Sequence, residues 1–175
     1  MNDVKWFFFD TSSIVKRYHG EEGTEIVNKI FDAIKNRKAR GIISFLSVSE
    51  FFSALRRKVN TREITLEQLK DAIATFLDES RRNLRIEPIE STIFADGLNF
   101  ILGYSLKSAD SALLATMSKI AEETEIERSN FYLLSSDEEL LKAAKQEGFQ
   151  TIDPARSLCQ VARKDKVQDK GKQSY

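Results

Sequence analysis

Cysteine and histidine are almost absent from this sequence, and each scarcity excludes a class of site. One cysteine in 175 residues cannot form an internal disulfide, and it is typical of a reducing compartment such as the cytoplasm. The single histidine, His19, argues against a histidine-rich zinc site and against a Ser-His-Asp triad. No apolar run approaches the roughly 18 residues of a membrane-spanning helix, so we expect a soluble cytoplasmic protein with no membrane partner.

The chain also lacks an excess of charge of either sign. Its 27 lysine and arginine residues equal its 27 aspartate and glutamate residues, so the formal net charge is zero. Many nucleic-acid-binding domains are basic overall, so binding of that kind would have to use a local patch here. At this length we expect one domain with a sizeable core over residues 1–158, followed by a basic, flexible tail over 159–175.

Apolar segments alternate with amphipathic ones along that domain. Residues 4–9 are almost continuously apolar, which is typical of a strand buried on both faces of a parallel sheet. Further strands are predicted at 41–45, 84–89, 130–134 and 149–152. Pro88 indicates that the strand at 84–89 is an edge strand or ends there. Helices are predicted at 11–18, 24–35, 47–60, from 65 onward, and at 91–102, 109–127 and 138–146. The alternation predicts an α/β fold with a central, mostly parallel sheet flanked by helices on both faces.

Four acidic residues lie near the junctions between apolar segments and predicted helix starts. They are Asp10, Glu50, Asp110 and Asp137. In a parallel sheet the carboxyl ends of the strands meet at one edge, where open α/β folds bind ligands. Carboxylates gathered there would repel one another unless a divalent cation neutralised them, and oxygen-only ligands favour Mg²⁺ or Mn²⁺. The pattern therefore predicts metal-assisted cleavage of a phosphodiester.

Each of these acids also has a purely structural interpretation. Asp10 is a candidate N-cap, and Asp110 and Asp137 are placed to favour a helix dipole. Ser47 and Glu50 have the spacing of a capping box, in which Glu50 would bond back to the Ser47 amide. An acid that ends so apolar a strand still needs a partner for its charge, and this favours the metal site when the four acids are taken together.

Four segments around these acids resemble, in the right order, the motifs of PIN-domain nucleases and of VapC-type toxins in particular. They are residues 8–16 with 21–23, residues 49–51 with 54–55, residues 106–116, and residues 134–140 with 143–149 and 152–154. The third, LKSADSALLAT, is the most distinctive, although Ser111 stands where the family usually has alanine. The resemblance implies a PIN-like three-layer α/β/α fold.

The resemblance also implies a function and a set of site residues. Those that would bind one or two Mg²⁺ or Mn²⁺ ions are Asp10, Glu50, Asp110 and Asp137. Ser12 and Ser135 would orient the metal ligands or water. Water activated by the metal would cleave RNA and leave a 5′-phosphate and a 3′-hydroxyl. The implied protein is the toxin of a toxin–antitoxin pair, a homodimer with a small antitoxin protein as partner.

Other interpretations remain open on the sequence alone. A haloacid-dehalogenase-like phosphatase would need a second aspartate two residues after Asp10, where this chain has Ser12. A PIN nuclease of RNA processing, or a non-enzymatic module that binds RNA or protein, would share the same motifs. Basic residues near the acids are either phosphate contacts or part of solvated helix faces: Lys16, Arg17, Arg56, Arg57, Lys58 and Lys107.

Overall fold

The computed structural model describes residues 4–156, which form five strands, seven α-helices and one short 3₁₀-helix. The strands are β1 (Lys5–Phe9), β2 (Ala39–Ser44), β3 (Leu84–Glu87), β4 (Phe131–Leu134) and β5 (Gln150–Ile152). The α-helices are α1 (Thr11–His19), α2 (Thr24–Lys35), α3 (Phe45–Asn60), α4 (Leu66–Asn83), α5 (Ser91–Tyr104), α6 (Ser108–Glu123) and α7 (Glu138–Gln146). The 3₁₀-helix is Arg128–Asn130. The predicted tail, 159–175, lies outside the described residues.

All five strands run parallel, in the order β3-β2-β1-β4-β5, which confirms the α/β fold with a parallel sheet. β3 lies at the edge and ends at Glu87, just before Pro88, because proline has no amide hydrogen to donate to a neighbouring strand. β2 and β3 lie on one side of β1, and β4 and β5 lie on the other. Asp10 therefore stands where the strand order reverses, the place at which open parallel sheets form a ligand crevice.

The side chains of β1 contact different helical layers in turn. Phe7 and Phe9 pack with α1–α4 on one face, whereas Phe8 packs with α6 and α7 on the other. Because side chains alternate across a strand, burial on both faces requires a continuous apolar sequence. All three phenylalanines are almost fully buried, and burying each one contributes about 1.5–3 kcal/mol. This burial fixes the position of the strand that ends at Asp10.

The start of α3 differs from the sequence prediction. The helix begins at Phe45, because the Ser44 hydroxyl accepts a hydrogen bond from the Ser47 amide at 3.0 Å. Ser47 therefore lies inside the first turn, and the capping box predicted there is wrong. The interpretation of Glu50 as a residue that bonds back to the Ser47 amide is wrong with it, which leaves the Glu50 carboxylate available for another contact.

The ends of α5 and α6 also differ from the prediction. α5 continues through Gly103, and Ser105 takes the left-handed conformation after it, with φ of 57°. α6 ends at Glu123 rather than near residue 127. In the part of the chain from 4 to 156, no helix is long and apolar enough to span a membrane.

Candidate metal centre

One cleft at the carboxyl edge of the sheet is lined by all four acids singled out in the sequence. Asp10 follows β1 directly, Asp137 caps α7 after β4, and Glu50 lies in α3 after β2. Asp110 belongs to the first turn of α6, which follows a helix and a short loop rather than a strand. The cleft has a volume of about 670 Å³ and runs between α1 and α3.

Asp10 is buried and held by two serine hydroxyls. Ser12 Oγ and Ser135 Oγ both donate to Asp10 Oδ2, at 2.7 and 2.8 Å. The Ser12 amide approaches the same oxygen at 3.4 Å, so Asp10 also acts as the N-cap of α1. Within residues 4–156 no donor reaches the other oxygen, Oδ1. One oxygen of Asp10 is therefore saturated and the other is available to a ligand.

The direction of both serine hydrogen bonds is fixed by the loop between β4 and α7. The Ser136 amide donates to Ser12 Oγ at 2.9 Å, and the Asp137 amide donates to Ser135 Oγ at 3.0 Å. Because an amide N–H can only donate, each hydroxyl accepts from the loop and gives its own hydrogen to Asp10. Two parallel relays thus connect the backbone of this loop to one carboxylate oxygen, and they give Ser12 and Ser135 a positioning role.

Glu50 is held by a residue that the sequence did not single out. Thr11 Oγ1 donates to Glu50 Oε2 at 2.8 Å, which connects the first turn of α1 to α3. The two residues are 39 positions apart, so no local pattern predicts the contact. Thr11 also lines the cleft and stands directly after Asp10, which is the one sequence feature that could have suggested a role for it.

Asp137 serves as a helix cap and still leaves an oxygen for the cleft. Its Oδ1 accepts from the amides of Glu139 and Leu140, at 2.9 and 3.0 Å. No described residue donates to Oδ2. The capping and metal-binding interpretations of this acid are therefore compatible, since they use different oxygens.

Asp110 is the acid of the cleft whose pKa is clearly raised. Burial raises the pKa of its carboxyl to about 6, and the negative charges of Asp137, Asp10 and Glu50 act in the same direction. Lys107 opposes the shift. The acidic end of the cleft is thus short of positive charge, and a cation placed there would stabilise the ionised form of Asp110.

The donor set fits a hydrated Mg²⁺ or Mn²⁺ ion. It consists of carboxylate oxygens, which these hard cations prefer, and has none of the sulfur or imidazole ligands typical of structural zinc. In the stretch 4–156, no three aspartate, glutamate, histidine or cysteine side chains converge closely enough to form a complete ligand cluster. Mg²⁺ does not need one, because it keeps several waters and binds through one or two carboxylates.

One predicted phosphate contact, Arg17, has a structural role instead. Its guanidinium donates to both carboxylate oxygens of Glu79, at 2.5 and 2.8 Å, and to Asn28 Oδ1 at 2.7 Å. The Tyr18 hydroxyl donates to the same glutamate at 2.6 Å, and burial together with this bond raises the pKa of Tyr18. The network anchors α4 to α1 and α2, and Arg17 does not line the cleft.

Solved structures of similar fold come from several organisms. PAE2754 from Pyrobaculum aerophilum matches with a TM-score of 0.57 and 17% identity, over 89% of this chain and 87% of that one. VapBC2 from Rickettsia felis, bound to a DNA fragment from its promoter, matches with a TM-score of 0.56 and 12% identity, over 84% and 97%. A toxin–antitoxin complex from Klebsiella pneumoniae matches with a TM-score of 0.52 and 18% identity, over 84% and 96%. At these identities the likeness establishes the fold.

The family to which the chain belongs is identified by a comparison of its sequence with family profiles. Among curated proteins, no sequence matches this chain significantly. The profile of the PIN domain matches residues 7–146, which is more than half of the chain and includes all four acids. Proteins with this domain are nucleases. The parallel sheet, the acidic cleft at its carboxyl edge and the profile match agree, and the chain belongs to the PIN domain family.

Proposed function

We propose that this protein is a divalent-metal-dependent endoribonuclease and the toxin of a toxin–antitoxin pair. The observation that carries the proposal is the acidic cleft, in which two serine relays hold Asp10 with one oxygen free and which three further carboxylates also line. Such a constellation needs a cation, and a nuclease needs one to cleave a phosphodiester. Structural relatives that are toxin–antitoxin complexes support the biological role.

The residues of the cleft have distinct roles in this proposal. Asp10 Oδ1 and the Asp110 carboxylate bind Mg²⁺ or Mn²⁺, while Glu50 and Asp137 complete the acidic surround. The ion supplies Lewis acidity, which lowers the pKa of water and stabilises charge on phosphate oxygens. Ser12 and Ser135 keep Asp10 in one orientation, and Thr11 does the same for Glu50. The products are a 5′-phosphate and a 3′-hydroxyl.

Cleavage of a mixed pool of structured and unstructured RNA tests the enzymatic part. The purified protein is assayed with Mg²⁺ or Mn²⁺, with EDTA, and as the variant Asp110→Asn. We expect cutting that requires the metal and is lost in the variant. Cutting that persists in EDTA, or that Asp110→Asn retains in full, would refute the metal mechanism. Absence of both cutting and metal binding would favour the non-enzymatic module.

The toxin role is tested separately in cells. Induced expression of the chain alone should arrest growth, and expression of Asp110→Asn at the same level should not. A small antitoxin protein is the expected partner, by analogy with the relatives solved as complexes. A cutting enzyme that leaves growth unaffected would instead favour a housekeeping PIN nuclease of RNA processing.

A homodimer is also part of the proposal, and α5 offers a candidate interface. Phe94, Leu98 and Leu102 lie along one side of that helix and are 54%, 56% and 84% exposed. A contiguous apolar surface of this kind typically marks a contact with another protein. Sedimentation velocity should give a dimer for the wild type and a monomer for Leu98→Glu. The control is Leu66→Glu on α4, which changes an exposed leucine away from α5.

A further inference from the structure

The walls of the cleft carry far more negative than positive charge. Among the residues that the structure describes, five carboxylates line it, because Glu21 joins the four acids of the metal centre, and only two cations do, Lys16 and Arg57. A nucleic-acid strand is itself a polyanion, so its phosphates need cationic contacts beyond a single metal ion. The two cations of the cleft are the candidates for that role.

Lys58, the neighbour of Arg57, is engaged elsewhere. Its Nζ lies 2.9 Å from Glu21 and 3.0 Å from Glu63, so it neutralises Glu21 at the wall of the cleft. The Arg57 guanidinium makes no hydrogen bond and no ion pair with any residue in the range 4–156, and the residue is exposed. Of these two adjacent cations, only Arg57 is both in the cleft and available to a ligand.

Arg57 is placed at a defined distance from the metal centre. Glu50, Ser53, Ala54 and Arg57 all line the cleft, and their spacing puts them on one face of α3. Seven residues of helix correspond to about 10 Å along the axis. The face therefore leads from an acid at the metal centre to a guanidinium two turns away, which is too far for the phosphate that is cut but within reach of a neighbouring one.

Lys16 also lines the cleft, from α1 rather than from α3. It is buried, and its Nζ lies 4.0 Å from Glu21, a carboxylate that Lys58 approaches more closely, at 2.9 Å. Its charge is therefore only partly compensated. The two cations come from different helices. Lys16 offers a compact ammonium group, and Arg57 offers a planar guanidinium that can bind two phosphate oxygens at once.

We propose that Arg57, together with Lys16, binds the backbone phosphate next to the one that is cleaved and so sets the path of a single strand along α3. The inference rests on the proposed function. A cleft of about 670 Å³ has room for a short stretch of one strand. Arg57 is a positioning residue, since it acts on substrate placement and not on the reacting atoms.

The test measures binding and its salt dependence for a matched pair of variants. Arg56→Ala and Arg57→Ala remove the same charge from adjacent exposed positions of α3, but only Arg57 lines the cleft. Each is combined with Asp110→Asn to prevent cutting, and a labelled pool of short single-stranded RNA is titrated in increasing KCl. We expect Arg57→Ala to weaken binding several-fold for all sequences and to reduce the salt slope by about 0.7, the value for one lost phosphate contact. Arg56→Ala should change neither quantity, and Arg57→Lys should keep the slope.

Kinetics in the otherwise wild-type protein give a second readout. Arg57→Ala should raise KM and leave kcat nearly unchanged, because the contact holds substrate and transition state equally. Thermal melting confirms that the variants are folded. If the wild type cuts RNA and Arg57→Ala matches Arg56→Ala in affinity, salt slope and KM, this inference is overturned while the proposed function stands. If the wild type neither binds nor cuts RNA, both are overturned.

Discussion

The acidic cleft has two halves, and the carboxylates of each half are held by different hydrogen bonds. In the clamped half, Asp10 and Asp137 stand at the ends of β1 and β4 and accept hydrogen bonds from serine hydroxyls or helix amides. In the open half, Glu50 and Asp110 stand on α3 and α6. Glu50 is held by the single hydroxyl of Thr11, and among the described residues no donor reaches the Asp110 carboxylate.

The two halves therefore contribute different properties to the cleft: the clamped half has a fixed geometry, and the open half holds a carboxyl of raised pKa. The clamped half fixes one carboxylate oxygen before any ligand arrives, which is the preorganisation that outer hydrogen bonds give to a metal ligand. The open half keeps a carboxyl whose pKa is raised to about 6, so its ionised form gains most when a cation binds. A site of this kind combines a preset position with an electrostatic driving force, and variants in each half should fail in different ways.

The largest effect is expected for Asp10→Asn in the clamped half. The serine hydroxyls can only donate to the side chain at this position, so they select the rotamer in which the amide oxygen replaces Oδ2. The amide NH₂ then takes the place of Oδ1 and presents a donor to the cation. RNA cleavage should fall to background, while circular dichroism and melting stay close to the wild type. Retained cleavage would refute the assignment of Asp10.

Ser135→Ala tests whether the relay matters beyond the carboxylate itself. The substitution removes the acceptor of the Asp137 amide and one donor to Asp10 in a fully buried place. Loss of such an outer contact typically costs about 10- to 100-fold in metal affinity or activity. Metal titration by calorimetry checks the value. Ser53→Ala is the control, because Ser53 lines the cleft but donates only to its own helix, and a similar loss there would contradict the comparison.

Thr11→Val should have a smaller effect in the open half. It keeps the shape of the side chain and removes the hydrogen bond to Glu50. Glu50 only completes the acidic surround in the proposed site, so we expect metal affinity to fall by less than about 10-fold, the lower bound for an outer contact to a metal ligand. Thr11→Ser retains the hydroxyl and should behave as the wild type in the same titration. A fall in metal affinity as large as that of Ser135→Ala would mean that the two halves of the cleft contribute equally to metal binding.

Asp110→Asn should raise the stability of the metal-free protein although it abolishes cleavage. The raised pKa of Asp110 means that the folded state holds this proton more tightly than the unfolded chain, so ionisation above about pH 6 destabilises the metal-free fold. The variant should melt at a higher temperature than the wild type at pH 7 without metal. The difference in melting temperature between the variant and the wild type should narrow as the pH falls from 6 toward 4. It should also shrink when Mg²⁺ is added. A difference in melting temperature that does not change with pH would contradict an electrostatic origin of the stabilisation.

Much of this architecture could be predicted because its cause is local. Continuous apolar sequence identified β1, Pro88 indicated an edge strand or a strand end, and the positions of the four acids relative to the strands predicted one cleft. The start of α3 could not be predicted in this way. Ser44 and Ser47 both suit a helix cap, and Phe45 reads as part of the preceding apolar run although it is 59% exposed.

The contacts that decide the roles of individual residues are long-range, and the sequence does not reveal them. Arg17 and Arg57 both follow an acid by seven residues along the chain. Only the fold places Glu79 against Arg17 and leaves Arg57 in the cleft. Thr11 gains its role in the same way, through a partner in another helix.

The hydrogen bond between Ser135 and Asp10 also has a consequence for the timing of folding. It joins residues 125 positions apart, so the relay can form only after β4 has been synthesised and has paired with β1. Contacts of such high sequence separation are slow to form, and domains are translated from the amino terminus onward. The acidic segments that emerge early from a ribosome would therefore lack the fixed geometry of the cleft, and the proposed metal centre would assemble only when the last inner strand of the sheet is in place.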